Sequence, residues 1–497
     1  MTTTVHGSRL YQSLPAIYRE RDNGDLENYL DAFGGLLDAI QHTLEQLHAD
    51  SFPDTPPEGL ACQDWVLPYF ARLLDVRLVS HEAKGRREEI ARGVAWRQGK
   101  GTPWVVEEIA EAVGDVEVEI AEGWQRVATT ARLNMPLLPA RDFGVSPEPD
   151  MNIPSEAARH PGLAALTLDL RHPSRAVQHP AACLGGRDWV QGTPQGMPCF
   201  PGSYDDAARR TVDFRTPDWR QGHHHPRTLL LYAEPQPGFF PGDITEIKWA
   251  DRAKPEYQAL VEITEDAASY RIRNRSKQAI RFTGPATLSA HKDYHIEGFA
   301  FSATVNCQHG RLFLRNVAAP RVVAQFSGSA VAALSARDCL FRDVSTATGL
   351  MRLEYCTVLR KTVCEWLDAS DCIFAGIVQK DHPTQEKPPQ AGCIRYSRLS
   401  KTDMGAVAVF RCSTAKPLFF TSHYGDRSCG VLHPACLAEI RHGAEDGGEM
   451  GAFHSRGYVL QWEAMVSKLQ DFLPVGIEAV VIPATSLACP APLKKQG

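Results

Sequence analysis

Three copies of one short pattern constrain this chain more than any other feature. Leu334-Ser-Ala336-Arg-Asp338-Cys339-Leu-Phe341 aligns with Met351-Arg-Leu353-Glu354-Tyr-Cys356-Thr-Val358 and with Leu367-Asp-Ala369-Ser-Asp371-Cys372-Ile-Phe374, the cysteines standing 17 and 16 residues apart. Each copy alternates with period 2, as a strand with one buried face must. Short alternating strands at a fixed interval suit a parallel β-helix, in which each turn buries its inner face against the last. On this reading Ala336, Cys339, Leu353, Cys356, Ala369 and Cys372 point inward and form ladders along the interior. A fainter copy, Leu312-Phe-Leu314-Arg-Asn-Val317, puts Val317 in the cysteine column. Tyr270-Arg-Ile272, Ala279-Ile-Arg-Phe282 and Ile296-Glu-Gly-Phe299 supply earlier turns. The pattern predicts a parallel, right-handed β-helix over residues 244–400, followed by a capping region over 401–497. Solenoid ends expose a strand edge and need covering; Gln461 to Leu473, amphipathic through Trp462, Met465, Val466, Leu469 and Phe472, is the expected helical cap.

The N-terminal quarter follows another period. Leu26, Tyr29, Leu30, Phe33, Leu36, Leu37, Ile40, Leu44 and Leu47 fill helical positions for about six turns, which predicts one long helix with a single apolar stripe. Such a helix rises roughly 33 Å, more than a compact small domain needs. The stripe either packs within the chain's own bundle or meets partner chains. Pro53, Pro56 and Pro57 end it. A second helix is expected from Cys62 to Leu74 with Trp65, Phe70 and Leu73 on its inner side. Ser80 would N-cap a third helix carrying Arg86, Arg87, Ile90, Val94 and Trp96. Gly99-Lys100-Gly101 stops that helix, and Thr102-Pro103 starts a fourth that ends at Gly114. Val116 to Ile120 alternates as a strand.

The order of these features, Leu14-Pro-Ala-Ile-Tyr18-Arg19, the long helix, a proline turn, a Trp/Leu-rich helix, an Arg-Arg helix and then Gly-Lys-Gly101-Thr102, resembles phage tail protein I. The resemblance covers about a quarter of the chain. It implies a structural baseplate wedge subunit of a contractile tail or tail-like injection particle, assembled in the cytoplasm and incorporated into the particle. The implied partners are other wedge proteins, with hub or spike, sheath-initiating or fibre proteins beyond them. Leu30, Phe33, Leu37, Ile40 and Leu44, with Trp65, are the expected interface, and Arg87, Gly101 and Thr102 are expected to set the turn that follows. His423-Tyr-Gly-Asp426 and the glycine-rich run Gly443–Gly451 resemble the C-terminal segment of β-helix proteins from injection-system clusters.

Between the two ends, residues 126–243 are dense in Pro and Gly. Leu166–Leu170, Arg210–Phe214 and Thr228–Tyr232 are short strand-like runs, so a β-rich insertion with long loops is expected. The whole is a multidomain α+β chain: a helical module over 1–125, the insertion over 126–243, then the solenoid and its capping region.

Composition narrows the chemistry. A net charge of −6 offers no basic footprint for nucleic acid. There is no apolar run of about 18 residues to span a bilayer, and the first residues lack the basic and apolar parts of a signal peptide. Thirteen cysteines with no Cys-x-x-Cys pair read as reduced, packed thiols rather than a zinc site. His223, His224 and His225 sit side by side in a Gly/Pro turn, where consecutive side chains rarely converge on one ion. A β-helix is also a scaffold for polysaccharide-cleaving enzymes, which pair carboxylates across a groove. Asp338 and Asp371 share a column with Glu354 one place off, but an Asp beside a turn more often caps backbone N–H groups. Glu445, Asp446 and Glu449 lack the regular Asp-x-Asp-x-Asp-Gly spacing of a calcium loop and are expected to be solvated or to face a partner. No cofactor motif is present. The alternatives to a wedge subunit are a carbohydrate-active or carbohydrate-binding β-helix protein and a tail-fibre or adhesin component.

Overall fold

The computed structural model describes residues 4–54, 56, 59–123, 127–129, 165–167, 228–276, 278–326, 331–346, 349–380 and 387–483. Arg210–Phe214 and His223–His225 lie outside them. The chain divides into two units, one of residues 1–115 with 467–474, the other of 116–466 with 475–497.

The first unit is helical: α1 (Val5–Gln12), α2 (Ala16–Arg21), α3 (Asp25–Ala49), α4 (Leu67–Leu73), α5 (Ala83–Gln98) and α6 (Pro103–Gly114). Its buried core joins Cys62, Leu67 and Ala71 to Ile90, with Phe70, Val76 and Leu78 packed against them. Trp65 and Leu73, expected inside, face out. The helix begins only at Leu67, after a 3-10 turn at Asp64–Val66, and its period brings 67, 70 and 71 to the core face instead. Val94 is exposed too. Glu82 rather than Ser80 caps α5. The reason is Glu89, whose carboxylate accepts the backbone N–H groups of Val79 and Ser80 at 2.8–3.2 Å and draws that segment inward. Thr102 does precede α6, with Pro103 as its first residue.

Glu89 is fully buried, and so is its partner. Lys468 lies in the last helix of the chain and donates to Glu89 at 2.8 Å; its ammonium also reaches the carbonyl of Arg77. Arg77 in turn pairs with Asp471 at 2.9 Å, and Trp96 meets Phe472 edge to face. The helical unit is thus completed by residues almost four hundred positions downstream.

The second unit holds a parallel solenoid with three faces. One face stacks Ser269–Asn274, Asp293–Glu297, Leu312–Arg315, the first part of Ala332–Thr346, the first part of Leu350–Val363, Trp366–Ser370, Ala391–Arg395 and Ala408–Phe410. The second runs from Thr245–Lys248 through Ile280–Thr283 and Ala300–Phe301 to Ile373–Phe374, and the third from Ala286–Leu288 to Ile377–Gln379. Leu334, Met351 and Leu367 are in register, as are Ala336, Leu353 and Ala369. Cys339 pairs with Cys356, and the Cys356 N–H donates to the Cys372 sulfur at 3.4 Å. All six ladder residues are buried. Nearer the start, Trp249, Phe282, Phe299 and Phe301 fill the interior with ring centroids 4.7–5.8 Å apart. Val261–Glu265 closes the first edge by pairing antiparallel with Ser269–Asn274.

The corner after the first face repeats a costly conformation. Gly298, Asn316, Asp338, Tyr355, Asp371, Tyr396 and Arg411 all have φ between 47° and 85°, where side chains other than Gly, Asn and Asp are disfavoured. The residue after each corner turns inward. There Cys339, Cys356, Cys372, Ser397 and Cys412 each donate to the carbonyl two residues back, at 2.7–3.4 Å. At the two earlier corners Phe299 and Val317 fill this position without a donor, so the thiol and hydroxyl bonds belong to the turns from Asp338 onward.

A three-stranded sheet, Val118–Glu122 antiparallel to Thr228–Ala233 and Glu478–Ile482 parallel to it, accompanies the solenoid. The first of these strands begins two residues later than the alternation suggested, and the third has no counterpart in the pattern reading. Of the middle region, Val127–Thr129 pairs antiparallel with Ala165–Thr167. After α7 (Ala438–Arg441) comes α8 (Tyr458–Phe472). It is the helix expected as a cap, but its contacts differ: from Ser467 it belongs to the helical unit, while Val459 packs against Cys436, Ile440 and Met450.

Replacing Lys468 by Ala strands Glu89 as an unpaired buried charge, so the helical unit should lose about 3–5 kcal/mol in denaturant unfolding; a loss under about 1 kcal/mol would show the pair to be incidental. Burial also pushes thiols up, Cys364 to about 12 and Cys356 and Cys372 well above the usual range. Native-state alkylation followed by peptide mapping should therefore label the exposed Cys393 and leave these three unmodified until the protein is unfolded.

Candidate functional site

The long helix α3 uses an unexpected face to hold its neighbour. Asp31 accepts the Thr4 N–H at 2.7 Å and its hydroxyl at 2.6 Å; Asp38 accepts the Val5 and His6 N–H groups at 3.0 and 3.1 Å and the His6 ring. These bonds hold both carboxyls below the usual carboxylate range, Asp31 chiefly through the Thr4 hydroxyl and Asp38 chiefly through His6. Gly34 lies between them against Gly7, where a Cβ would come within 2.0 Å of the Gly7 nitrogen. At 100° per residue this Asp-Gly-Asp face is more than a third of a turn round from the apolar stripe.

The stripe itself is left outside. Phe33 is 49% exposed, Leu37 40%, Ile40 51%, Leu44 61% and Leu47 67%, with Tyr29 and Leu36 beside them; Leu30 is half-buried. The single buried stripe of the periodicity is thus not buried within the described chain. Trp65 and Tyr69 add an exposed edge-to-face pair. Burying a large apolar side chain contributes about 1.5–3 kcal/mol, so this surface withholds on the order of 10 kcal/mol. Contiguous apolar surface of this kind marks association sites.

The other expected interface residues have partners inside the chain. Arg87 donates to the Cys62 carbonyl at 2.6 Å and pairs with Asp64 at 2.7 Å, tying α5 to the segment before α4. It does not touch the turn it was expected to set. Gly101, at φ 87°, gives its N–H to the Phe472 carbonyl, and the Thr102 hydroxyl donates to the Gly99 carbonyl at 2.6 Å.

On the solenoid, the column of acids is covered by a strap, residues 443–457, running across the turns. Asp371 accepts the Glu445 N–H at 2.7 Å and the Ser370 hydroxyl at 2.6 Å, and its carbonyl accepts the Gly451 N–H. The Thr357 hydroxyl accepts the Ala452 N–H, His454 stacks on Tyr355 at 4.1 Å, and Ser455 donates to Asp338 at 2.6 Å. Arg456 ends the run on Asn316. Gly451 is required, because a Cβ there would lie 2.4 Å from the Thr357 hydroxyl oxygen. Asp338 and Asp371 therefore fasten backbone and strap, while Glu354 lies 4.0 Å from Arg337 at the surface. The acidic loop proves to be part of the strap. Asp446 pairs with His454, but Glu449 is buried, one carboxyl oxygen without a partner. Among the described residues, no group of three or more His, Cys, Asp or Glu is placed to hold a metal ion.

One unit thus carries an exposed apolar helix stripe, and the other a solenoid whose acids are occupied by the strap. A family model described as Phage tail protein (Tail_P2_I) matches residues 26–151. Over that segment, about a quarter of the chain, the sequence is similar to this phage tail family. No curated protein and no solved structure matches. No described helix is long and apolar enough to cross a membrane.

Burial pushes the Glu449 carboxyl up to about 8, against the opposing effect of the Tyr458 and Val459 N–H groups. Between pH 4.5 and about 8 the unfolded chain loses this proton and the folded chain keeps it, so stability contributed at this site falls as pH rises. Denaturation of wild type and Glu449→Gln across that range should show the variant gaining relative stability with pH; parallel curves would contradict the burial argument.

Proposed function

We propose that this protein is a baseplate wedge subunit of a contractile phage tail or tail-like injection particle. In this reading the stripe of α3 packs against helices of other wedge proteins around a central spike, and the solenoid is a peripheral part of the particle. The observation that carries it is the apolar face Phe33, Leu37, Ile40 and Leu44, left open on a 25-residue helix whose opposite side is fastened by Asp31 and Asp38. A helix this long with one dry face buries enough area for a stable hetero-oligomer only if a partner covers most of its length. The family match over residues 26–151 supports the setting.

Co-expression with the tail proteins encoded beside it should yield a stable hetero-complex by size-exclusion chromatography with light scattering. Phe33→Asp and Leu37→Asp should each weaken that complex by at least tenfold while leaving the isolated chain folded, since neither side chain is buried within it. A complex indifferent to both substitutions would move the interface elsewhere and sink the proposal.

A further inference from the structure

The strap stops short of the first corner of the solenoid. From Asp371 to Asn316 each corner side chain meets a strap residue, but at Arg456 the chain turns away into α8. The next corner is Gly298, which has no side chain to fill the space. The result is a groove of about 560 Å³ with Gly298, Phe299 and Ala300 as its floor, within the roughly 300–1,000 Å³ of small-ligand sites.

We propose that this groove binds a neutral oligosaccharide. Its described walls carry two carboxylates, Asp243 and Glu297, and two guanidinium groups, Arg273 and Arg456. The charges balance, so neither an anion nor a cation is favoured. Hydrogen-bonding capacity, by contrast, is in excess. Glu297 has only distant ion pairs, 3.5 Å to Arg273 and 4.0 Å to Arg315. The Asn316 side chain accepts from Arg456 and keeps its amide donors for a ligand. Gln278 and Asp243 also line the groove. Bidirectional donors and acceptors around a neutral site match a polyhydroxyl ligand, whose every hydroxyl both donates and accepts. A peptide would instead want free backbone edges, and here the strands are paired on both sides by their neighbouring turns.

Two of the wall side chains are fastened within the chain. Arg456 is pinned by the Gly238 carbonyl and the Tyr458 hydroxyl and lies 4.7 Å over the Phe239 ring. Asn274 is held by bonds to the carbonyls of Gln278 and Gly298. A preformed site loses less entropy on binding.

Saturation-transfer NMR and titration calorimetry on the full chain test this, with maltotriose, cellotriose and triacetylchitotriose as neutral probes and a sulfated disaccharide as the anionic one. The expected result is binding of at least one neutral probe, weakened at least tenfold by Glu297→Ala and by Gln278→Ala and unchanged by Glu354→Gln, all three with wild-type thermal melts. No binding of any neutral probe overturns the proposal. So does preference for the sulfated probe, or binding that ignores Glu297 and Gln278.

Discussion

A parallel solenoid continues only if every turn bends at the same place, and the corner from Gly298 to Arg411 is where this chain meets that demand. Left-handed backbone at Tyr355, Tyr396 and Arg411 has a cost. It persists because the stacked strands on either side hold it, and because the corners from Asp338 onward are satisfied locally. The thiol or hydroxyl of the following residue bonds the carbonyl before the bend. From outside, the strap meets the corner side chains of Asn316, Asp338, Tyr355 and Asp371. A column of acids that resembles a catalytic pair in sequence is, in three dimensions, the row of anchors for that strap.

The helical unit depends on a different constraint. Glu89 and Lys468 are both removed from water, and an isolated buried charge of either sign would be far costlier than the pair. Glu89 also receives two backbone N–H groups, so its ionised form is met from three directions. The pair makes the N-terminal helices incomplete without the last helix of the chain. The buried cluster of this unit includes no residue of α3, which is secured by α1 and, near its C-terminus, by Gln46 and Asp50 at Ala61 and Gln63. A helix fastened by polar contacts along one side has an apolar side to offer elsewhere.

These two arrangements give the two units different characters. The helical unit presents an exposed apolar stripe, and the solenoid has an interior filled by aromatic rings near its start and by the cysteine column with Leu, Met and Phe further on. The groove at Gly298 lies on the solenoid, where the corner ladder and the strap both leave a gap.

Period is what the sequence carries most faithfully. The 16–17-residue recurrence determined the solenoid and the register of Ala336, Leu353 and Ala369, because stacked turns must repeat what they bury. The 3.6-residue spacing determined α3, and Thr102-Pro103 the start of α6, because those signals are local. Which way the α3 stripe faces was not legible, since the same spacing serves a core and an interface. Nor were the Gly7–Gly34 contact, the strap over Asp338 and Asp371, or the burial of Glu449. Each depends on segments that come together only after folding. The Lys468–Glu89 pair is the extreme case: two charged residues on separate helices read as solvated until the tertiary structure encloses them together, and only that enclosure makes each one's charge necessary to the other.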